Sequence, residues 1–312
     1  MENDSAVNWL FVAACAAALL VRVFLERSHR GQEKRVFRFW QQVGLPMATE
    51  EIHESLRVRL QRSAMAALIG GLAGAFVAAG RLWMDQESLL SFTFMWQIAL
   101  PAVLIGATLF DVVVTLRDTL FVQRASQPRL ARVQAVTLGD YIRPWRLRAA
   151  PALSLVAVIL GATAVVFTIS SHSQLSQLVK GMSLPLLLTA LIVCGICAVA
   201  ANKLLQQPQP VSDKLELAWD DAVRADTIRK LAQLATLTSW FALSAVGIGI
   251  LGELGHGPEN QMAVVVGQAV AMMGYSIIFM LFSYGDSYNF FRRRLWPAFT
   301  RFGLATHQGA PS

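Results

Sequence analysis

The residues of this chain able to do acid–base, metal or nucleophilic chemistry fall into a few short constellations, each incomplete for the chemistry its spacing would serve. His53-Glu54-Ser55-Leu56-Arg57 has the imidazole and the carboxylate of a zinc-protease helix, but Arg57 stands where the second imidazole must be one turn later. Glu50-Glu51 pairs two glutamates as prenyl-protein endopeptidase-like membrane enzymes do, but the arginine is misplaced and the pair is expected in a loop. Asp220, Asp221 and Asp226 could hold Mg²⁺ against a diphosphate, yet Arg224 occupies the place that would complete an Asp-Asp-x-x-Asp motif. The simpler expectation is a solvated helix face on which Asp220 pairs with Arg224 at i, i+4. Cys194 and Cys197 put two thiols at i, i+3, a spacing shared with redox motifs, but no third ligand lies at their depth and packing is expected instead. His29, His53, His172, His256 and His307 all fall outside the apolar stretches, so axial ligands for a membrane b-type haem are missing. The last apolar stretch contains no lysine for a retinal Schiff base. No catalytic residue, metal or cofactor is expected, and the chain reads as non-enzymatic.

The polar groups left to explain are those inside apolar stretches. Asp111 lies six residues before Arg117 and Arg22 five before Arg27, so both sit about 8–9 Å inside the same end of their spans. A charge in hydrocarbon costs several kcal/mol unless it finds a partner or a watery cavity. Arg22 is long enough to reach lipid phosphates by itself; Asp111 is too short for that and is expected to face the bundle, with Arg22, Tyr284 or a water-filled cytoplasmic vestibule to satisfy it. The first and third spans would then be neighbours. Gln268 and Tyr275 complete this candidate intramembrane polar site.

Such residues have to be positioned by membrane helices. The chain is 55% apolar and only 15% charged, well away from the roughly 25% charged composition of soluble domains. Seven stretches reach the length of about 20 residues needed to cross a bilayer: Trp9–Leu25, Ala64–Leu82, Ile98–Leu116, Pro151–Ser170, Leu184–Ala201, Leu234–Leu251 and Ala263–Phe282. Their non-alternating Ala/Leu/Gly pattern predicts helices rather than barrel strands. The expected fold is therefore an all-α, polytopic membrane bundle forming one domain. Segments 27–62, 116–149, 202–232 and 286–312 carry 8, 7, 5 and 4 Lys/Arg, whereas the intervening loops carry only Lys180. By the positive-inside rule these four segments are cytoplasmic, with the N-terminus outside and the C-terminus inside. Glu2 and Asp4 before the first span, with Arg22, Arg27 and Arg30 after its start, reverse the polarity of a cleavable signal and predict a retained anchor.

The last six spans read as three hairpins, each introduced by a charged segment. Thr49 is placed to cap a helix that brings Ile52, Leu56 and Leu60 to one face and runs into the second span. Beyond Ser212 and Asp213, Leu215, Ala218, Trp219 and Ala222 form an apolar face, with Asp220 and Arg224 expected in water. The stripe shifts at Asp226, which predicts a break or a change of packing partner there. Between 116 and 149, prolines interrupt the pattern, and a short helix followed by extended chain is expected. Gly70-x-x-x-Gly74, Gly247, Gly267, Ala271 and Gly274 mark close helix approaches, within the chain or between copies.

The basic clusters Lys34, Arg35, Arg38 and Arg292, Arg293, Arg294 lie beside Phe37, Phe39, Trp40, Phe290 and Phe291, which suits an anionic inner-leaflet surface. Net charge +7 is explained by topology, and nucleic acid is not required. Gly139-Asp140-Tyr141-Ile142-Arg143-Pro144-Trp145 and Asp220-Asp221-Ala222-Val223-Arg224, each ahead of a span, resemble uncharacterised multi-pass membrane proteins of actinobacteria. That resemblance implies a bacterial plasma-membrane setting and no activity. The leading expectation is an accessory or structural component of a transport or envelope system, with a membrane-protein partner or a second copy of itself. A small-solute transporter or channel is the alternative, and a lipid-modifying enzyme stands behind it.

Overall fold

A computed structural model describes residues 2–46, 49–84, 98–120, 136–171, 183–207, 209, 213–253, 258–283, 289–297 and 299. All secondary structure among them is helical: α1 (Glu2–Arg27), α2 (His29–Val43), α3 (Glu50–Met84), α4 (Leu100–Leu120), α5 (Leu138–Tyr141), α6 (Pro144–Ser171), α7 (Ser183–Gln206), α8 (Lys214–Glu253), α9 (Pro258–Ser283) and α10 (Phe290–Leu295). Seven of these, α1, α3, α4, α6, α7, α8 and α9, are long and apolar enough to cross a membrane, and the chain is a multi-pass membrane protein.

Two packing groups build the bundle. α3 and α4 form the tightest pair, with α1 against α3, while α6, α7 and α9 all lie against α8, and α8 joins the groups through α4. Glycine is required at the first contact. A Cβ on Gly70 would strike the Gly106 carbonyl and one on Gly74 the Ala102 carbonyl, so the Gly70-x-x-x-Gly74 face packs within the chain, backbone to backbone. Gly274 is covered by the Trp240 indole, whose Nε1 donates to the Ala271 carbonyl at 2.9 Å. Gly247, expected at such a contact, has open space where a side chain would go. The second expected hairpin is also altered: α6 and α7 meet each other less than each meets α8.

The extensions at the basic end explain most other departures. α3 runs without interruption from Glu50, as its Thr49 cap predicts, with the His53 amide donating to the Thr49 carbonyl at 2.9 Å. α6 starts at Pro144 and continues through Pro151, since proline suits the first turn and one lost hydrogen bond is tolerable in a packed helix. α5 is the short helix expected before it, closed by a capping box between Thr137 and Asp140 and followed by extended Ile142. Of the two alternatives at Asp226, the break does not occur: α8 is one helix of 40 residues. Its apolar stripe shifts because the helix is buried nearly all round from Ala218 to Phe241, polar side chains included. Ser212 and Tyr284 lie outside the described residues.

Candidate functional site

The largest concentration of buried charge is on α8, one to four turns after its start. Asp226, Arg229 and Lys230 share a face at i, i+3 and i+4, with acid preceding base in the favourable order. The Lys230 ammonium is surrounded by oxygens from three helices: Ser63 Oγ of α3 at 2.7 Å, Asp111 Oδ1 of α4 at 3.0 Å, Thr115 Oγ1 of α4 at 3.5 Å and Asp226 Oδ2 at 3.2 Å. The Ser63 hydroxyl also donates to Asp111, and Thr115 donates to the same oxygen at 3.2 Å. Arg229 holds the other oxygen of Asp226 at 2.6 Å and donates to the Phe282 carbonyl at 2.6 Å, where α9 ends. Four spans are thereby tied at one level by two cations and two anions.

This network has an approach from the basic end. A cavity of about 30 Å³, room for one or two waters, is lined by Phe39, Leu56, Ser63, Thr115, Asp226 and Lys230 among others. Arg59 and Asp118 are shared between it and an open groove of about 660 Å³ along the start of α3, whose walls include Glu50, Glu51, Glu54 and Arg62. Arg62 reaches Asp118 at 3.6 Å and Arg57 reaches Glu54 at 2.8 Å, so part of the groove wall is ion-paired.

A second polar centre lies about two turns nearer the start of α8. Asp221 is fully buried; Tyr141 Oη and Gln209 Nε2 donate to one carboxylate oxygen and Trp296 Nε1 to the other, each at 2.9 Å. Gln209 bonds Asp220 as well, and Asp220 accepts from Arg224 Nε at 3.2 Å. Arg224 then donates to the Leu204 and Gln207 carbonyls at 3.2 and 3.1 Å, satisfying the end of α7 as Arg229 does that of α9. The predicted apolar face holds, with Ala218, Trp219 and Ala222 buried. Of the two residues expected in water, Asp220 is partly exposed but Arg224 is buried, as is its neighbour Asp221, because Gln207, Gln209, α5 and α10 cover the side of α8 that periodicity assigns to solvent. The Asp221 carboxylate faces three hydrogen-bond donors, an arrangement suited to joining segments and not to receiving a metal–diphosphate.

Outside the spans, Asp140 closes this layer: Arg294 Nε reaches it at 2.6 Å and the Thr137 amide and hydroxyl both donate to it at 2.8 Å. Burial pushes its carboxyl up, but the Thr137 donors and Arg294 outweigh that and hold it below the usual aspartate range. A depressed carboxylate contributes stability above its unfolded value and loses it as pH falls through the folded one. We therefore expect the thermal midpoint of the wild type to drop, relative to Asp140→Asn, on acidification below about pH 4; parallel curves would disprove the latch.

The structure sets Asp111 against Lys230 and not against Arg22. Arg22 points outward, its side chain 70% exposed, with Glu26 at 3.6 Å. Equal depth was the basis for pairing them, but depth leaves azimuth undetermined: α1 packs on α3, whose Gly71 faces Leu19 of α1 and Ala107 of α4. Gln268 and Tyr275 are buried on α9, about 21 and 10 Å along the helix from Phe282. Tyr275 stacks on Phe241 with ring centroids 4.0 Å apart and bonds Ser244, so neither residue joins the Lys230 network. Among the cations assigned to lipid, Arg35 turns inward to Glu26 and the Leu60 carbonyl, Arg292 bonds the Gly44 carbonyl and Arg294 holds Asp140. Lys34, Arg38 and Arg293 remain exposed, and so does Arg294 despite its bond to Asp140. Lys230 itself was counted among loop charges; its i, i+4 spacing from Asp226 was the available signal. No protein-family model, curated protein or solved structure matches the chain, so the functional reading rests on this geometry.

Proposed function

We propose that the protein is a non-enzymatic component of a bacterial plasma membrane, an accessory or structural subunit of a transport or envelope system. Its N-terminus lies outside and its basic end, with the Lys230 and Asp221 layers, in the cytoplasm. The observation that carries the reading is the charge balance around Lys230. Two cations and two carboxylates pair with one another, and Arg229 also holds the last turn of α9, as a static clasp requires. The clasp stiffens the cytoplasmic end of the bundle and fixes a surface on which a membrane partner, or a second copy, assembles.

The groove leading towards Lys230 favours one competing reading, a transporter or channel entered from the cytoplasm. Reconstitution separates the two. The purified chain alone in liposomes should dissipate an imposed proton, sodium or potassium gradient no faster than empty vesicles, and should co-purify from its native membrane with a stoichiometric membrane protein. Flux above the empty-vesicle rate that disappears in Lys230→Ala would replace the accessory reading with the transport one. Orientation is tested separately on intact cells in a variant lacking Cys15, Cys194 and Cys197. An impermeant thiol reagent should label a cysteine placed at Ser173 and spare one at Ser212; the reverse pattern would invert the topology.

A further inference from the structure

α2 covers the polar layers with apolar side chains, Phe39 lining the Lys230 cavity, and its two faces differ. Ser28 caps its start, accepting from the Gly31 amide at 3.1 Å, and Gly44 at φ 63° ends it, its amide donating to the Trp40 carbonyl at 2.7 Å. Val36, Phe39 and Val43 are buried, so this face is committed to the bundle. On the opposite side, Arg30, Lys34, Phe37, Arg38 and Gln41 fall within one stripe at 100° per residue, and all five are exposed, Phe37 by 51%. No acid lies in the stripe; Glu33, the acid of this helix, is set to its side.

The position of the helix decides what meets that stripe. His29 lies 3.4 Å from Arg57, Arg35 donates to the Leu60 carbonyl, and Phe39 packs on Trp219 with centroids 6.5 Å apart. Successive parts of α2 thus meet α3 within about two turns of its apolar stretch, Phe39 reaching the cavity beside Leu60 and Ser63, and touch α8 at Trp219, about four turns before its own. α2 is a crossbar over the basic ends of the spans, a single residue after the membrane helix α1. At that height the surrounding medium is the headgroup layer, where each lysine or arginine gains about 1 kcal/mol from anionic lipid and an aromatic ring is favoured between water and chains.

We propose that the outer stripe of α2 is a binding site for anionic phospholipid, with Arg30, Lys34 and Arg38 on the headgroup phosphate and Phe37 against the glycerol and upper acyl chain. The site does not depend on the accessory reading or on which side of the membrane the basic end occupies. It revises the set of lipid-facing cations: Arg30 enters and Arg35, engaged with Glu26 and Leu60, leaves.

The test is native mass spectrometry of the full chain in mild detergent with phosphatidylglycerol and phosphatidylcholine supplied together. The wild type should retain phosphatidylglycerol preferentially. Arg30→Gln, Lys34→Gln and Arg38→Gln should each weaken it about five-fold and the triple variant about 100-fold. A control with the exposed Arg148, Lys203 and Lys214 changed to glutamine should bind like the wild type. Phe37→Ala should weaken retention of both lipids. Should the triple variant fail to fold, the three single changes decide the question, since each side chain is on the surface. Equal retention by variants and wild type, or an equal loss in the control, would overturn the site. Displacement by millimolar inorganic phosphate or glycerol phosphate would identify a soluble phosphate ligand instead of a lipid.

Discussion

Lys230→Met should destabilise the folded protein by about 3–5 kcal/mol, the cost of leaving buried charge without its partner. The ammonium is 12% exposed, and the two carboxylates facing it are 19% and 10% exposed. Methionine preserves most of the volume, so the loss is electrostatic. Asp226 retains Arg229 at 2.6 Å, whereas Asp111 keeps the hydroxyls of Ser63 and Thr115 and only the more distant charge of Arg35. The asymmetry makes a second expectation: adding Asp111→Asn to Lys230→Met should recover much of the loss, while adding Asp226→Asn should not, because that strands Arg229. Thermal midpoints of the purified variants in one detergent check both. A Lys230→Met penalty below about 1 kcal/mol, or simple additivity with Asp111→Asn, would show that the cluster is hydrated and not a clasp. Arg22→Gln provides the contrast, since that exposed side chain should cost no more than about 0.5 kcal/mol.

Why the sequence shows Asp111 but hides Lys230 is a matter of physical reference. A carboxylate inside a long apolar run stands out because hydrocarbon is a poor solvent for it. Lys230 precedes the apolar part of its helix and looks like any of the basic residues that set topology. Hydropathy marks where a helix enters the membrane and does not mark whether the protruding turns are covered by protein. α8 extends beyond its apolar stretch at the basic end of the bundle, and α2, α5 and α10 wrap those turns, so Asp221, Arg224, Asp226 and Arg229 are buried outside that stretch. The seven long apolar helices were legible because length and composition suffice for them. The α3–α4 contact was legible as well, since Gly70 and Gly74 permit an approach no larger side chain would. The partner of Asp111 was not, because helix rotation and neighbour order come from packing.

Asp220 and Asp221 put that distinction to a direct test, being adjacent in sequence and opposite in environment. On a solvated acidic face, changing either to asparagine would have the same small effect. In the structure Asp221 is completely buried and Asp220 is partly exposed. Asp221→Asn swaps an oxygen for an NH₂ group where Tyr141, Gln209 and Trp296 all point donors, so at least one donor–donor clash replaces a charge-assisted bond worth about 1.5–3 kcal/mol. Asp221→Ala leaves those donors unsatisfied and should cost about 3 kcal/mol or more. Asp220→Asn keeps an oxygen for Arg224 and Gln209 and should cost under about 1 kcal/mol. Because Trp296 belongs to the C-terminal segment and Tyr141 to α5, losing Asp221 should also release both from α8. Limited proteolysis should then cut the Asp221 variants near residues 284–297 much faster than the Asp220 variant. Equal thermal midpoints and equal proteolysis for the two aspartates would refute the hub. Abolished function with an intact fold in both variants would reopen the metal-dependent enzyme reading that the three donors around Asp221 argue against.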